Sequence, residues 1–371
     1  MHNTTSVELV VLDKDKGLMK IALIGFGGVN RGLVEILHNK RAYLRQQYGF
    51  EGRVTAVVTR SRGAVVAPDG IDLDWLLTTD DLTMGAARGY AVRPDGAYDA
   101  GNDDEWNALR IIASAPADVI VEATPTDLQT AQPALDHCRA AIAAGRHLVL
   151  ANKGPIALAY RELRQAAQAR GVLLRFEATV MAGTPSLRLG MQALAGCTIT
   201  SARGILNGTT NFMLTQMETG TPYAEVLADA QRLGYAEADP TDDVDGWDAA
   251  GKGIILAAAL FDSALTLDAM DVRGIRSLTP ADIESARAAG ERWKLIVEVT
   301  PDGGRVAPTR LPLSHPLAGV SGAMNAVTYA TDLMGEITLI GAGAGRMQTG
   351  FALLSDLLEL HRLRFDGARE Q

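Results

Sequence analysis

Asp248 and Lys252 stand four residues apart at the end of an acidic stretch, YAEADPTDDVDGWDAAGK (235–252). Residues at i and i+4 share one face of a helix. The segment that carries them runs on as GIILAAALF, small and apolar, as in a buried helix. An exposed pair of this kind contributes little. A buried lysine is costly, gives up its proton more easily, and is usually kept with a partner and a task. Such a lysine can take a proton from a substrate hydroxyl or return it. The neighbouring carboxylates Glu237 and Asp243 suit a substrate with an ammonium group, which points to an amino alcohol or amino acid.

The same stretch could instead be a calcium loop, and one position excludes that. Aligned on Gly246, an EF-hand puts Thr241, Asp243 and Asp245 at ligand positions one, three and five. Position twelve, which needs a bidentate glutamate, is then Lys252. The six histidines, among them His137, His147 and His361, show no ligand spacing and read as structural or surface residues.

A second chemical feature lies near the start of the chain. KIALIGFGGVNRGLVEIL (20–37) reads as a strand, a glycine turn and a helix. Gly25 permits the tight turn, and Gly27 lets the backbone approach a pyrophosphate at the helix N-terminus, with Gly28 and Val29 following. Asn30 replaces the third glycine of the dinucleotide pattern, a change expected to alter helix–strand closeness more than phosphate contact. The next strand ends in TRSRG, where an NAD site carries an acidic residue for the ribose 2′-hydroxyl. Arg60 and Arg62 suit a 2′-phosphate, so NADP is the expected cofactor and NAD the alternative.

Positioning these groups requires two domains, which 371 residues can supply. Strand-like runs at 54–61, 117–124 and 147–154 alternate with helices, one of them over 128–145, and predict an α/β fold: a Rossmann-type, doubly wound parallel sheet over residues 19–155. The stretch 62–106 reads as surface loops and short helices. Strand-like runs at 171–179, 198–206, 293–300 and 337–343 predict a second, α+β domain for substrate and dimerisation over 156–335. Residues 336–371 read as a C-terminal helix returning to the first domain, and 1–18 as a tail without the features of a signal peptide.

Composition narrows the function classes. The chain carries 44 acidic against 35 basic residues, a net charge of −9, which argues against a general nucleic-acid binder. No apolar run approaches the roughly 20 residues of a membrane span. Cys138 and Cys197 have neither redox nor metal spacing and fit buried thiols in a reducing cytoplasm, the expected location.

With these parts placed, the chain resembles the homoserine dehydrogenases. The resemblance rests on GFGGVN, EATPTD (122–127), LANKGPIA (150–157), FEATVMAGTPSL (176–187), GILNGTTNFML (204–214), GYAEADPTDDVDGWDAAGK (234–252) and GAGAG (341–345), which occur in family order across nearly the whole chain from Met19. The pairing of GILNGTTNF with the acidic stretch is the most specific part, and 262–331 is the part least matched.

The resemblance implies NADP-linked interconversion of L-homoserine and L-aspartate 4-semialdehyde by a homodimer. It implies that Lys252 handles the hydroxyl proton, that Asp248 is its acidic partner, and that Lys153 is a second active-site lysine facing the nicotinamide. Glu237 matches the carboxylate for the substrate ammonium, Asp243 and Thr209 further substrate contacts, Thr124 a position near the cofactor, and Gly345 a glycine that returns to the cofactor domain. It also implies a monovalent cation, Na+ or K+, held largely by backbone carbonyls at Glu177, Val180, Ala182 and Thr184. No C-terminal regulatory domain or aspartate-kinase domain is expected.

Overall fold

The computed structural model describes residues 17–93 and 107–366. Residues 1–16 of the tail expected over 1–18 and the stretch 94–106 lie outside the described residues, while Leu18 already opens the first strand and is not tail. The first sheet has seven strands: β1 (Leu18–Ile24), β2 (Glu51–Val58), β3 (Ala64–Val66), β4 (Ala91–Arg93), β5 (Val119–Glu122), β6 (His147–Leu150) and β7 (Leu174–Arg175). Their order is β4-β3-β2-β1-β5-β6-β7. The five strands from β2 to β7 in that order are parallel.

The run KIALI is apolar without alternation because both faces of the sheet are covered. Ile21 and Leu23 pack with the helices Gly28–Asn39 and Arg346–Asp366. Ala22 and Ile24 pack with the helices Ala134–Ala143 and Gly154–Arg170 on the other face. The chain leaves β1 toward β2 on one side and meets β5 on the other. The crevice at this reversal is where such sheets take their ligands.

Three expectations are corrected here. The stretch 62–106 contributes β3 and β4, two short antiparallel strands that extend the sheet, so it is not purely parallel. β7 lies beyond residue 155 yet belongs to the first sheet, because the helix Gly154–Arg170 returns the chain beside β6 as a parallel crossover. The helical pattern read over 128–145 forms a helix only from Ala134.

The second sheet comprises β8 (Ile199–Ile205), β9 (Asp271–Val272), β10 (Glu291–Thr300), β11 (Gly303–Pro312), β12 (Met324–Thr331) and β13 (Gly335–Ala342), in the order β13-β12-β8-β10-β11-β9. β13 pairs along its whole length with β12, so it belongs to this sheet and not with the C-terminal helix segment. The unmatched region 262–331 contains β9 to β12 and the helix Pro280–Ala288. The helix Trp247–Phe261 lies between β10 and β11 on one side and the helix Gly154–Arg170 on the other. Residues Ala249 to Ala258 are therefore all buried, which explains a helix with no polar face. No helix among the described residues is long and apolar enough to cross a membrane.

The long helix Arg346–Asp366 crosses the helix Gly28–Asn39 at very short range. A Cβ at Gly32 would lie 2.4 Å from the Arg346 carbonyl oxygen, and one at Gly350 2.6 Å from the Leu33 nitrogen. Gly32→Ala is therefore expected to lower the urea unfolding free energy by about 1–3 kcal/mol through forced separation of the two helices. An unchanged unfolding midpoint would show that the helices part without cost.

Candidate active site

The glycine turn sits at the C-terminal end of β1. Gly25 has φ +80°, and a Cβ there would lie 2.8 Å from the Ala123 carbonyl oxygen just past β5. Both constraints demand glycine. Gly27 is the N-cap of the helix that follows, with no side-chain cap bond and no acidic residue in the first turn. Space above Gly27 and Gly28 is open, since a Cβ at either would meet nothing within 4 Å. Unsatisfied N–H groups under an open cradle fit a pyrophosphate. Asn30 does more than replace a glycine: it is fully buried and its Nδ2 donates to the Gly25 carbonyl at 2.6 Å, stapling the turn.

The expected 2′-phosphate arginines are placed differently from each other. Arg60 is exposed. Arg62 donates to the Phe26 carbonyl and stands over the Phe26 ring at 5.8 Å. Arg31, not anticipated from sequence, covers the same ring at 4.8 Å and donates to the Leu77 and Thr79 carbonyls at 3.1 and 3.0 Å. Phe26 thus gathers two guanidinium groups beside the turn.

A cavity of about 1430 Å³ opens beyond the ends of β1, β5 and β6. Val29, Thr124, Lys153, Ala182, Thr209, Glu237, Asp243, Asp248, Lys252 and Gly345 all line it. The sequence-predicted substrate and proton-handling residues therefore converge, although Lys153 and Asp248 are 95 positions apart. Gly345 has φ +130° where β13 gives way to the C-terminal helix.

At the centre, Asp248 Oδ2 accepts from Lys252 Nζ at 2.7 Å, and Oδ1 accepts from Lys153 Nζ at 3.0 Å. Lys252 Nζ also donates to the Leu206 carbonyl at 2.7 Å. Each ammonium has three donors, so Lys252 keeps one and Lys153 two to face the cavity. Burial alone would raise the Asp248 carboxyl, but Lys153 and Lys252 outweigh it and hold it well below the usual carboxylate range. Asp248 in turn holds the Lys153 ammonium above its ordinary value, against the effect of burial.

Asn207 was not singled out from sequence, yet it joins the acids. Its Nδ2 donates to Asp243 Oδ1 at 2.6 Å and to Asp248 Oδ2 at 2.9 Å. Its Oδ1 accepts from the Thr210 N–H at 2.8 Å, which makes it the N-cap of the helix Gly208–Met217. Only that capping role was legible, in the motif NGTT. Burial raises the Asp243 carboxyl, with the Asn207 bond opposing. Thr209 does not cap the helix; its hydroxyl donates to the Tyr235 carbonyl at 2.6 Å. This fixes the loop that carries the exposed Glu237 at the cavity mouth.

The loop proposed for a cation is tightly folded. Met181 and Ala182 take φ +57° and +48°, strained for non-glycine residues. The Val180 carbonyl accepts from Ser186 Oγ at 3.0 Å and the Thr184 carbonyl from the Ser186 N–H at 2.7 Å. Each carbonyl oxygen retains a second lone pair for a hard cation. The Glu177 side chain is committed elsewhere. It accepts from the N–H groups of Leu187 and Arg188 at 3.0 and 2.8 Å, and burial pushes it up to about 7. Among the described residues no cluster of three or more His, Cys, Asp or Glu side chains could hold a metal, so any ion here relies on backbone oxygens.

Residues 25–177 match the model "Homoserine dehydrogenase, NAD binding domain" and residues 185–358 the model "Homoserine dehydrogenase". The NAD(+)-dependent homoserine dehydrogenase of Pseudomonas canavaninivorans is 43% identical over 92% of this chain and 96% of its own length. The chain belongs to the homoserine dehydrogenase family. A homoserine dehydrogenase structure from Thiobacillus denitrificans aligns at 34% identity and TM-score 0.78, covering 94% of this chain and 74% of that one. A hyperthermophilic archaeal homoserine dehydrogenase in complex with NADPH aligns at 27% identity and TM-score 0.76, covering 92% and 97%.

Homoserine dehydrogenases are oxidoreductases acting on a CH–OH group with a nicotinamide cofactor, and the two-lysine cluster of this member gives a direct test. Asp248→Asn keeps the shape of the side chain but removes the charge shared by both ammonium groups. Turnover is expected to fall by at least about a hundredfold. Because Asp248 raises the Lys153 value, the alkaline limb of the residual pH profile should move to lower pH. An unmoved limb would separate Lys153 from Asp248 in the reaction.

Proposed function

We propose that this chain oxidises L-homoserine to L-aspartate 4-semialdehyde and runs the reverse reduction, with NADP as its preferred cofactor. The observation that carries the reading is the Lys153–Asp248–Lys252 cluster on the wall of a cavity that also reaches Val29, just past the glycine turn. The bound nicotinamide supplies the hydride acceptor. Lys252, in its neutral amine form, takes the hydroxyl proton and becomes the ammonium as the carbon–hydrogen bond is broken, and Asp248 with the Leu206 carbonyl holds its Nζ in place. Lys153, at the end of β6, orients the hydroxyl oxygen and balances charge as the aldehyde forms. Glu237 takes the substrate ammonium, while Asp243 and Thr209 complete the substrate end. Thr124 and Gly345 border the nicotinamide end, and Gly25, Gly27, Gly28 and Val29 cradle the pyrophosphate.

Arg60 and Arg62 support NADP, since a 2′-phosphate needs guanidinium partners. Two observations favour NAD as a second reading: Arg62 is engaged by the Phe26 carbonyl, and the Pseudomonas relative is named for NAD(+). The carbonyls of Glu177, Val180, Ala182 and Thr184 would hold a monovalent cation such as Na+ or K+, and the left-handed pair Met181–Ala182 supports that assignment.

The deciding experiment follows reduced-nicotinamide absorbance with purified protein and L-homoserine at alkaline pH. NADP and NAD are compared in potassium, sodium and tetramethylammonium salts. Signal with NADP exceeding NAD, and lost in tetramethylammonium, is expected; faster turnover with NAD would overturn the arginine argument. In the same assay Lys252→Ala should lose turnover by about three orders of magnitude or more while cofactor binding survives. Near-normal turnover would remove Lys252 from proton handling.

A homodimer formed through the second sheet is supported by the edge strand β13, its exposed Ile340 and the exposed Leu333 and Met334 just before it. Light scattering should give twice the chain mass, and Ile340→Glu should shift it toward the monomer. A monomeric unaltered protein would sink this reading.

A further inference from the structure

One ionisable side chain at the cofactor cleft has no part in the mechanism above. Glu122 ends β5 and is 0% exposed. Its Oε1 accepts from the Thr124 hydroxyl, lies 3.3 Å from the Thr124 N–H that also points to it, and is 3.4 Å from His137 Nδ1. Its Oε2 meets no hydrogen-bond partner. Among the described residues no lysine or arginine pairs with it, and its ion-pair contact is with His137. An unsatisfied acceptor in a dry site is costly, so its retention calls for a reason.

The network continues from Glu122 to the cavity wall. Asn152 Nδ2 donates to the Thr124 carbonyl and hydroxyl, each at 3.1 Å, and to the Pro125 carbonyl at 3.0 Å. Asn152 Oδ1 accepts from the Gly154 N–H at 3.0 Å. Lys153 lies between these two residues. Thr124 and Lys153 both line the cavity. Glu122 therefore stands one side chain behind the wall, at the point where β5 and β6 end and the reactive ring of the cofactor is placed. The cations on this wall, Lys153 and Lys252, are already committed to Asp248.

We infer that Glu122 is a positioning and charge-setting residue for the nicotinamide: it holds Thr124 and Asn152 in register, and its carboxylate favours the oxidised, positively charged ring over the neutral reduced one. This rests on the cofactor placement proposed above. A carboxylate in a site shielded from water acts on a nearby cation with little damping. Its chemistry toward the substrate is nil, since its oxygens face the interior. Its effect is to bias which redox form of the cofactor stays bound.

The test is the dissociation constant of each cofactor form, oxidised and reduced, for the full-length protein and Glu122→Gln, measured by calorimetry and nicotinamide fluorescence. The amide keeps an acceptor for the Thr124 hydroxyl and removes the charge. The oxidised form should weaken about ten- to thirtyfold, with the reduced form changed less than about twofold. Equal weakening of both forms, or no change in either, would overturn the inference. Glu122→Asp carries the test if the amide variant does not fold. It keeps the charge and loses the Thr124 contact, so both affinities should fall while their ratio stays within about twofold of the unaltered value; a tenfold change in that ratio would overturn the charge argument. An unaltered protein that binds neither form overturns the functional reading itself.

Discussion

Two ammonium groups in one cleft repel each other, and Asp248 is what allows Lys153 and Lys252 to share it. One lysine follows a strand of the first sheet; the other rides a helix laid on the second. Both reach the same carboxylate, one on each oxygen. A partly buried charge cluster of this kind is weak evidence for stability, because desolvation opposes attraction. Its value is geometric. Both sheets must be in register for the three groups to meet, so the cluster reports correct assembly and supplies the reacting groups together. Asn207 extends the same logic by tying Asp243 to Asp248 while it caps a helix of the second domain.

The packing around the cluster is continuous. One apolar core runs from Ala22 and Ile24 on the first sheet through the helix carrying Lys252 to Val297 and Tyr329 on the second. Two domains that share a core in this way resist rigid-body opening more than domains joined by a polar interface. The cavity is thus bounded on its inner side by fixed elements. Its mouth is made of loop residues, Leu233, Tyr235 and Glu237 among them, and these are exposed.

What the sequence revealed follows from the range of each interaction. The glycine turn and the Asp248–Lys252 pair are local, so spacing alone exposed them. Lys153 is 95 positions from Asp248, and no spacing argument connects them; the family motif ANKG did. Asn207 was readable as a cap because capping is local, but its amide reaches acids 36 and 41 residues away. Glu122 was hidden inside a strand that reads as apolar. The strands β3 and β4 are three residues each, too short for alternation to register, and β7 has only two. Asn30 pins the turn through Gly25, and the close helix–helix approach falls at Gly32, whose neighbour comes from the far end of the chain.

That neighbour imposes an order on synthesis. Leu353, Leu354, Leu357 and Leu360 cover the same apolar face as Ile21, Leu23 and Leu33. Arg346 grips Glu35 across 311 residues. While the ribosome makes everything between, that face of the first sheet has only part of its cover. Contacts of such sequence separation close slowly and leave apolar surface open to wrong partners in the meantime. The nucleotide-binding half therefore emerges before the second sheet and is finished only after it.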